Sequence, residues 1–182
     1  DEVELFLNGK SLGVKKNSND PKLRARIKWD DIAYAPGALL AVARKNGKVM
    51  ARHQIETTGE AVALKLVPDV ETWHADGKDL MHVRIYAVDK KGRRVLNMKD
   101  AKAFDKLTFT VKGDANIVAV DNGNIASDEL HIGKTQLEKT IQRNLFQGSA
   151  LVILRAGKQN GKVELMVSSD KMKARKLVLN TK

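Results

Sequence analysis

Val3-Glu4-Leu5-Phe6-Leu7-Asn8-Gly9-Lys10 decides how the rest of the chain is read. Val3, Leu5 and Leu7 point one way and Glu4 the other, the period-2 alternation of a strand with one buried face. The run then stops at Asn-Gly, the dipeptide that best tolerates the two successive positive φ angles of a tight hairpin turn. The same dipeptide recurs at Asn46-Gly47, Asn122-Gly123 and Asn160-Gly161, with further turn signals at Asp76-Gly77 and Lys91-Gly92. Between them lie more alternating runs. Leu23, Ala25, Ile27 and Trp29 interleave with Arg24, Arg26 and Lys28; Val83, Ile85 and Ala87 with Arg84 and Tyr86. Leu107, Phe109 and Val111 interleave with Thr108, Thr110 and Lys112, and Val163, Leu165 and Val167 with Glu164 and Ser168. In the first of these, Trp29 continues an apolar face and is expected to be buried.

Ala150 to Leu154 is apolar at every position, as expected of a central strand covered on both sides. Leu137, Ile141 and Leu145 recur every fourth residue, which fits either a short helix or an extended lead into that strand. No other stretch competes for helix. The expected fold class is therefore all-β, two immunoglobulin-like antiparallel β-sandwich domains in tandem. The boundary is expected at Thr57-Thr58-Gly59, giving one module over 1–59 and another over 60–182. An immunoglobulin-like sandwich has roughly seven strands. The first segment offers fewer runs than that and begins almost inside a strand, so the first module is expected to be truncated at its N-terminus, with an exposed sheet edge.

Composition narrows the function classes. The chain has 182 residues, 42% hydrophobic and 30% charged, which suits a folded chain with a substantial core. No apolar run approaches the roughly 18 residues of a membrane-spanning helix, and the strand pattern at residue 1 reads as a mature protein or an excised fragment rather than a leader. There are no cysteines, so neither a disulfide framework nor a thiolate zinc site can form. The net charge of +11 raises the question of nucleic acid. Its cations, however, are spread over both segments, with Arg24, Arg26 and Lys28 in one run and Lys171, Lys173, Arg175 and Lys176 in another. That pattern fits solubilised strand edges better than a nucleic-acid stripe with interleaved aromatics. No nucleic-acid partner is expected.

No catalytic or metal site is expected either. His53, His74, His82 and His131 lack a second histidine at ligand spacing. Ser168 and Ser169 lack a nucleophile elbow, and Gly9 and Gly13 belong to a hairpin rather than to a phosphate cradle. Asp30 and Asp31, adjacent on an extended chain, point to opposite faces and cannot converge across a sugar; Asp69 and Glu71 form a second acidic pair without a partner group. Asp121-Asn122-Gly123-Asn124 resembles part of a calcium loop but lacks the later bidentate glutamate, so a tight turn is preferred. The one ligand-binding candidate is Trp73 with His74, placed before the turn Asp76-Gly77, where an exposed indole could stack on a sugar ring or plug the end of a sandwich. No cofactor is expected.

Asp1 to Gly13, with its Val-Glu-Leu-Phe-Leu-Asn-Gly-Lys-Ser-Leu-Gly core, resembles the Ig-like domains that follow the catalytic barrel in family 2 glycoside hydrolases. The likeness continues through Trp29, Tyr34-Ala-Pro-Gly37, Lys45-Asn-Gly-Lys48 and Thr57-Thr-Gly59. The second half is similar to the C-terminal domain of the same β-galactosidase-like enzymes at Leu64-Lys-Leu-Val-Pro-Asp69, Ala75-Asp-Gly-Lys-Asp-Leu80, Val118-Ala-Val-Asp-Asn-Gly-Asn124 and Gly148-Ser-Ala-Leu-Val-Ile-Leu-Arg155. Asp128 to Asn144 and the strongly basic balance depart from the pattern.

The resemblance implies an accessory module without catalytic residues of its own, partnered by a (β/α)₈ catalytic domain of the same polypeptide that holds both catalytic glutamates. It also implies a periplasmic or secreted enzyme acting on glycans. The competing readings are an Ig-like adhesin module of a cell surface and an independent carbohydrate-binding module, against which the 4% aromatic content weighs.

Overall fold

The computed structural model describes residues 2–24, 26–96, 106–135 and 137–182. Among them the regular structure is entirely β. The strands are β1 (Glu2–Leu7), β2 (Lys10–Lys16), β3 (Ala38–Lys45), β4 (Lys48–Glu56), β5 (Ala63–Pro68) and β6 (Leu80–Val88). They continue with β7 (Lys106–Lys112), β8 (Ala115–Asp121), β9 (Thr140–Asn144), β10 (Ser149–Ala156), β11 (Gly161–Ser169) and β12 (Arg175–Thr181). They form two compact units, Asp1–Thr57 and Thr58–Lys182.

The first unit contains one antiparallel sheet in the order β2-β1-β3-β4. Asn8-Gly9 and Asn46-Gly47 close its two hairpins, with both residues of each pair at positive φ, as a two-residue turn requires if the strands are to keep their twist. Register places Val3 beside Ala43 and Ala51, Leu5 beside Ala41 and His53, and Leu7 beside Leu39 and Ile55. Across β1, β3 and β4 these rows are apolar apart from a histidine, and Lys15 and Lys10 of β2 stand opposite Val3 and Leu7; no residue in the rows is fully buried, and Val42, on the other face, is the one buried apolar residue that the described part of this unit contains.

The alternating run at 23–29 is not a strand. Asp20 accepts at its carbonyl from the amides of Leu23 (3.0 Å) and Arg24 (2.8 Å), and at its side chain from the amide of Lys22 (2.8 Å). These local bonds bend Pro21–Arg24 into a turn, offering the backbone an alternative to a ladder. Leu23 is accordingly exposed and Ile27 half-buried; Ala25 lies outside the described residues. The expected burial of Trp29 fails with the strand: it is half-buried, with the Lys15 ammonium 5.6 Å from its ring centroid.

The second unit is a sandwich of two four-stranded antiparallel sheets, β5-β6-β10-β8 and β12-β11-β7-β9. Their inner faces supply a single core. Met81, Val83, Ile85 and Ala87 of β6 and Val152 and Leu154 of β10 meet Leu107, Phe109 and Val111 of β7 and Val163, Leu165 and Val167 of β11. This is the period-2 pattern of the sequence realised in two aligned layers. The segment from Leu137 to Leu145 is extended: β9 pairs with β7, Ile141 opposite Phe109. Before it, Ile132 and Glu138 bridge the free edge of β8, at Ala119 and Ile117, so that backbone groups of that edge are paired rather than open.

Candidate functional site

The residues that stand out in the sequence come together as locks on loops. The Asn8 side chain donates to the Pro36 carbonyl (2.9 Å) and accepts from the Ala38 amide (2.8 Å). A Cβ at Gly37, where φ is +134°, would stand 1.8 Å from the Asn8 side-chain oxygen. Only glycine supplies both that conformation and that space, so Asn8-Gly9 and Tyr34-Ala-Pro-Gly37 form one three-dimensional feature. Thr57 completes it: its hydroxyl accepts from the Gly37 amide (3.0 Å) and meets the Tyr34 hydroxyl at 3.3 Å.

Trp73 is fully buried, so the sugar-stacking reading is corrected: no face of the indole reaches solvent. The indole N–H donates to the Asp79 carbonyl (3.1 Å) and the ring fills the core, the usual resolution for a buried tryptophan with one polar atom. Strand β12 holds the backbone there, through a parallel bridge from Thr181 to Trp73 and a bond from the Lys182 amide to the Trp73 carbonyl (3.0 Å). His74 is exposed beside it. The Asp79 carboxylate accepts from the His74 amide (2.8 Å) and lies 3.0 Å from the imidazole. These contacts, the backbone bond first, hold the Asp79 carboxyl below its ordinary range. Asp76 is likewise lowered by the amides of Asp79 and Lys78, both at 2.7 Å. Trp73 and His74 thus belong to a stapled turn.

At the opposite motif, Arg143 of β9 is fully buried. Its guanidinium donates to the Glu129 carbonyl (2.7 Å), to Asn122 Oδ1 (3.3 Å) and to Asp121 Oδ1 (3.4 Å), and its Nε lies 3.6 Å from the Glu129 carboxylate. Asn122 donates in turn to the Asn144 carbonyl (2.9 Å), and Glu129 accepts from the Asn144 amide (3.1 Å). Oxygens that suggest a cation loop in the sequence are therefore gathered around a guanidinium, and the Asp121–Asn124 turn is pinned to β9. The Asp121 carboxyl is lowered overall: burial pushes it up, but the amides of Asn122 and Gly123 and the nearby His131 and Arg143 charges outweigh that. Periodicity could have revealed Arg143, since Ile141, Arg143 and Leu145 share the inward phase; a sequence reading that seeks charges in loops passes it by.

Asp89 makes a third lock. It is 4% exposed, accepts from Arg93 Nε (2.9 Å) and Nη2 (2.7 Å), and also takes the amides of Gly59, Lys91 and Arg93. The Arg93 guanidinium first, then these amides, hold its carboxyl far below the ordinary range. A shallow cavity of ≈ 330 Å³ adjoins it, lined by Glu60, Val62, Lys90 and Lys91 among others. Of the other histidines, His82 and His131 each face one aspartate, Asp69 at 3.0 Å and Asp121 at 3.3 Å. Among the described residues no group of three or more His, Cys, Asp or Glu is arranged to hold a metal ion, and no helix is long and apolar enough to cross a membrane.

Residues 64–178 match the family described as glycoside hydrolase family 2 C-terminal domain 5, and residues 1–51 match a domain of unknown function (DUF4982). The chain is 36% identical over 170 residues to beta-galactosidase BoGH2A of Bacteroides ovatus, spanning 93% of this chain and 18% of that protein. It is 32% identical over 115 residues to a beta-glucuronidase of Formosa agariphila, covering 62% and 11%.

Among solved structures, a glycosyl hydrolase family 2 member from Bacteroides cellulosilyticus superposes with TM-score 0.81 at 30% identity, covering 100% of this chain and 21% of that one. A beta-glycosidase from Bacteroides vulgatus gives 0.80 at 25%, again covering 100% and 21%. The chain therefore spans a small part of the length of each protein it matches. On the match over residues 64–178, the chain belongs to the glycoside hydrolase family 2 C-terminal domain 5 family.

Proposed function

We propose that this chain is the non-catalytic C-terminal module of a β-galactosidase-like glycoside hydrolase, periplasmic or secreted, whose partner is the catalytic domain of the same polypeptide. The observation that carries the reading is what the family-like motifs do here. Asn8 with Gly37, and Asp121-Asn122 with Arg143, are spent on holding turns in place rather than aimed at a shared opening. Such residues serve a scaffold. The similarity of the chain to a minor part of much longer glycosidases supports the same reading.

The first unit fits this role if polypeptide preceding Asp1 in the parent enzyme contributes further strands to it. Its apolar face of Val3, Leu5, Leu7, Leu39, Ala41 and Ala43 is what the inner face of a sandwich looks like before the second sheet is laid on it.

The test uses the parent polypeptide and this 182-residue chain side by side with aryl β-galactoside and aryl β-glucuronide substrates. The parent is expected to hydrolyse one of them and the 182-residue chain neither. Turnover by the purified 182-residue chain, abolished by substituting one of its own carboxylates, would overturn the reading. Cell fractionation of the native host places the enzyme: activity confined to the cytoplasm contradicts export.

A further inference from the structure

Asn-Gly occurs four times in the chain, at Asn8-Gly9, Asn46-Gly47, Asn122-Gly123 and Asn160-Gly161. What suits the dipeptide to tight turns also makes it chemically labile. Glycine has no Cβ to restrict its backbone or to shield its nitrogen, so that nitrogen can swing onto the side-chain carbonyl carbon of the asparagine before it. Two things oppose the attack in a folded chain: bonds that hold the asparagine amide, and a bond that holds the glycine N–H. Each must open before the ring can close.

The four copies differ in these bonds. The Asn8 side chain is held at both ends, donating to the Pro36 carbonyl (2.9 Å) and accepting from the Ala38 amide (2.8 Å). Asn122 is 8% exposed. Its side chain donates to the Asn144 carbonyl (2.9 Å) and accepts from the Asn124 amide (2.9 Å) and from Arg143 (3.3 Å), while the Gly123 N–H donates to Asp121 (3.2 Å). Asn160 is exposed, but the Gly161 N–H that would attack it donates to the hydroxyl of the buried Thr181 (3.0 Å). Asn46 is unlike the other three. It stands exposed in the two-residue turn between β3 and β4, and among the described residues nothing bonds its side-chain amide or the Gly47 N–H.

We propose that Asn46 is a site of spontaneous deamidation, with water as the co-reactant, and that the other three Asn-Gly pairs are protected by their hydrogen bonds. The Gly47 nitrogen forms a bond to Asn46 Cγ, the Cγ–Nδ2 bond breaks, and ammonia leaves with the proton that the Gly47 nitrogen gives up. Water then opens the resulting succinimide at either carbonyl. Opening at Cγ leaves aspartate. Opening at the backbone carbonyl leaves isoaspartate, whose main chain runs through Cβ and Cγ and is one atom longer. Either product puts a carboxylate between Lys45 and Lys48. Isoaspartate also lengthens a connection of only two residues, on which the Lys45–Lys48 pairing beside it depends. Strand β4 lies at the sheet edge and is exposed along its whole length, so it is the strand that a lengthened turn releases.

The test incubates the 182-residue chain at mildly alkaline pH, folded and again unfolded in urea, and follows the four sites by peptide mass mapping, where each deamidated peptide gains about 1 Da. In urea the four sites are expected to react at similar rates. In the folded chain Asn46 is expected to react at least about tenfold faster than Asn8 and Asn122, the factor by which two modest hydrogen bonds deplete the open form. It is expected to react several-fold faster than Asn160, which one bond protects. Thr181→Val removes the hydroxyl that accepts from Gly161 and is expected to speed Asn160 while leaving Asn46 unchanged. Equal rates at the four sites of the folded chain would overturn the proposal, as would another site reacting ahead of Asn46. So would a folded chain inert at Asn46 while the unfolded chain reacts there, or Thr181→Val leaving Asn160 as slow as before.

Discussion

The two units are built from the same alternating strands and similar turns, yet they bury them very differently. In Thr58–Lys182 two sheets face each other and the core includes Trp73, Phe109, Ile85, Leu154 and Leu165, all at 0% exposure. In Asp1–Thr57 a single sheet stands with Val42 as its one buried apolar residue among those described. Strand pattern and hairpin chemistry suffice to make a sheet; they do not stabilise it. Stability comes from apolar area removed from water, about 25 cal/mol per Å², and the described residues of the first unit remove far less of it than those of the second. The difference predicts that the second unit holds itself together while the first depends on hydrogen-bonded locks and on neighbours.

The comparison breaks most readily in the core of the second unit. Trp73→Ala is expected to cost about 3–5 kcal/mol, the range for a large aromatic removed from a closed interior, seen as a shift of the urea midpoint. A cost below about 1 kcal/mol would mean that the sandwich end is looser than its burial indicates. Arg143→Met comes next, at about 2–3 kcal/mol. It removes a buried cation from Asp121 and Glu129, but those carboxylates are 48% and 25% exposed and recover some hydration, which keeps the cost below that of a fully buried pair. Hydrogen exchange should speed up in residues 122–139 more than in β6.

In the first unit, Asn8→Ala is expected to cost about 1 kcal/mol, the sum of two modest bonds made near solvent. The loop at Tyr34–Gly37 should loosen, read from its amide exchange. A loss as large as that of Trp73→Ala would show that the first unit is held more tightly than its open face suggests.

Acid sharpens the contrast further. The carboxyl of Asp89 is held well below its ordinary range in the folded chain by Arg93 and three amides. A depressed folded value means the contribution is complete above the unfolded carboxylate value, near pH 4, and drains away as pH falls below it. Urea midpoints are expected to fall with acidification below about pH 4, and to fall less in Asp89→Asn. Identical profiles for the two proteins would remove Asp89 from the account.

Much of the second unit was legible because its strands keep one phase: Val83-Ile85-Ala87, Leu107-Phe109-Val111 and Val163-Leu165-Val167 all point inward as their alternation says. The same rule failed at 23–29, where Asp20 and Pro21 set up local bonds that no count of alternating residues weighs. It also left Leu137 to Leu145 open between helix and strand, since apolar residues four apart fit both until β7 is present to pair with. The tight turn at Gln147-Gly148, with φ of 46° and 65° and bridged by Phe146 and Ser149, escaped a search for Asn-Gly. Trp73 stayed open in the sequence between stacking on a sugar and plugging the sandwich end; its burial depends on β12, more than a hundred residues away in sequence, whose Thr181 bridges to it. Arg143 was missed because an arginine is read as surface by type, although its phase with Ile141 and Leu145 points inward. What sequence conveys poorly is a polar or aromatic side chain whose partners are distant.

Native-state hydrogen exchange, resolved by peptide in the 182-residue chain and again in the parent enzyme, tests the contrast between the units most directly. Amides of β6 and β10 are expected to exchange only through global unfolding in both proteins, while those of β1 and β3 exchange orders of magnitude faster in the short chain and slow down in the parent. Equal protection of β1, β3, β6 and β10 in the 182-residue chain, unchanged in the parent, would contradict the account: the first unit would then be complete without any further polypeptide.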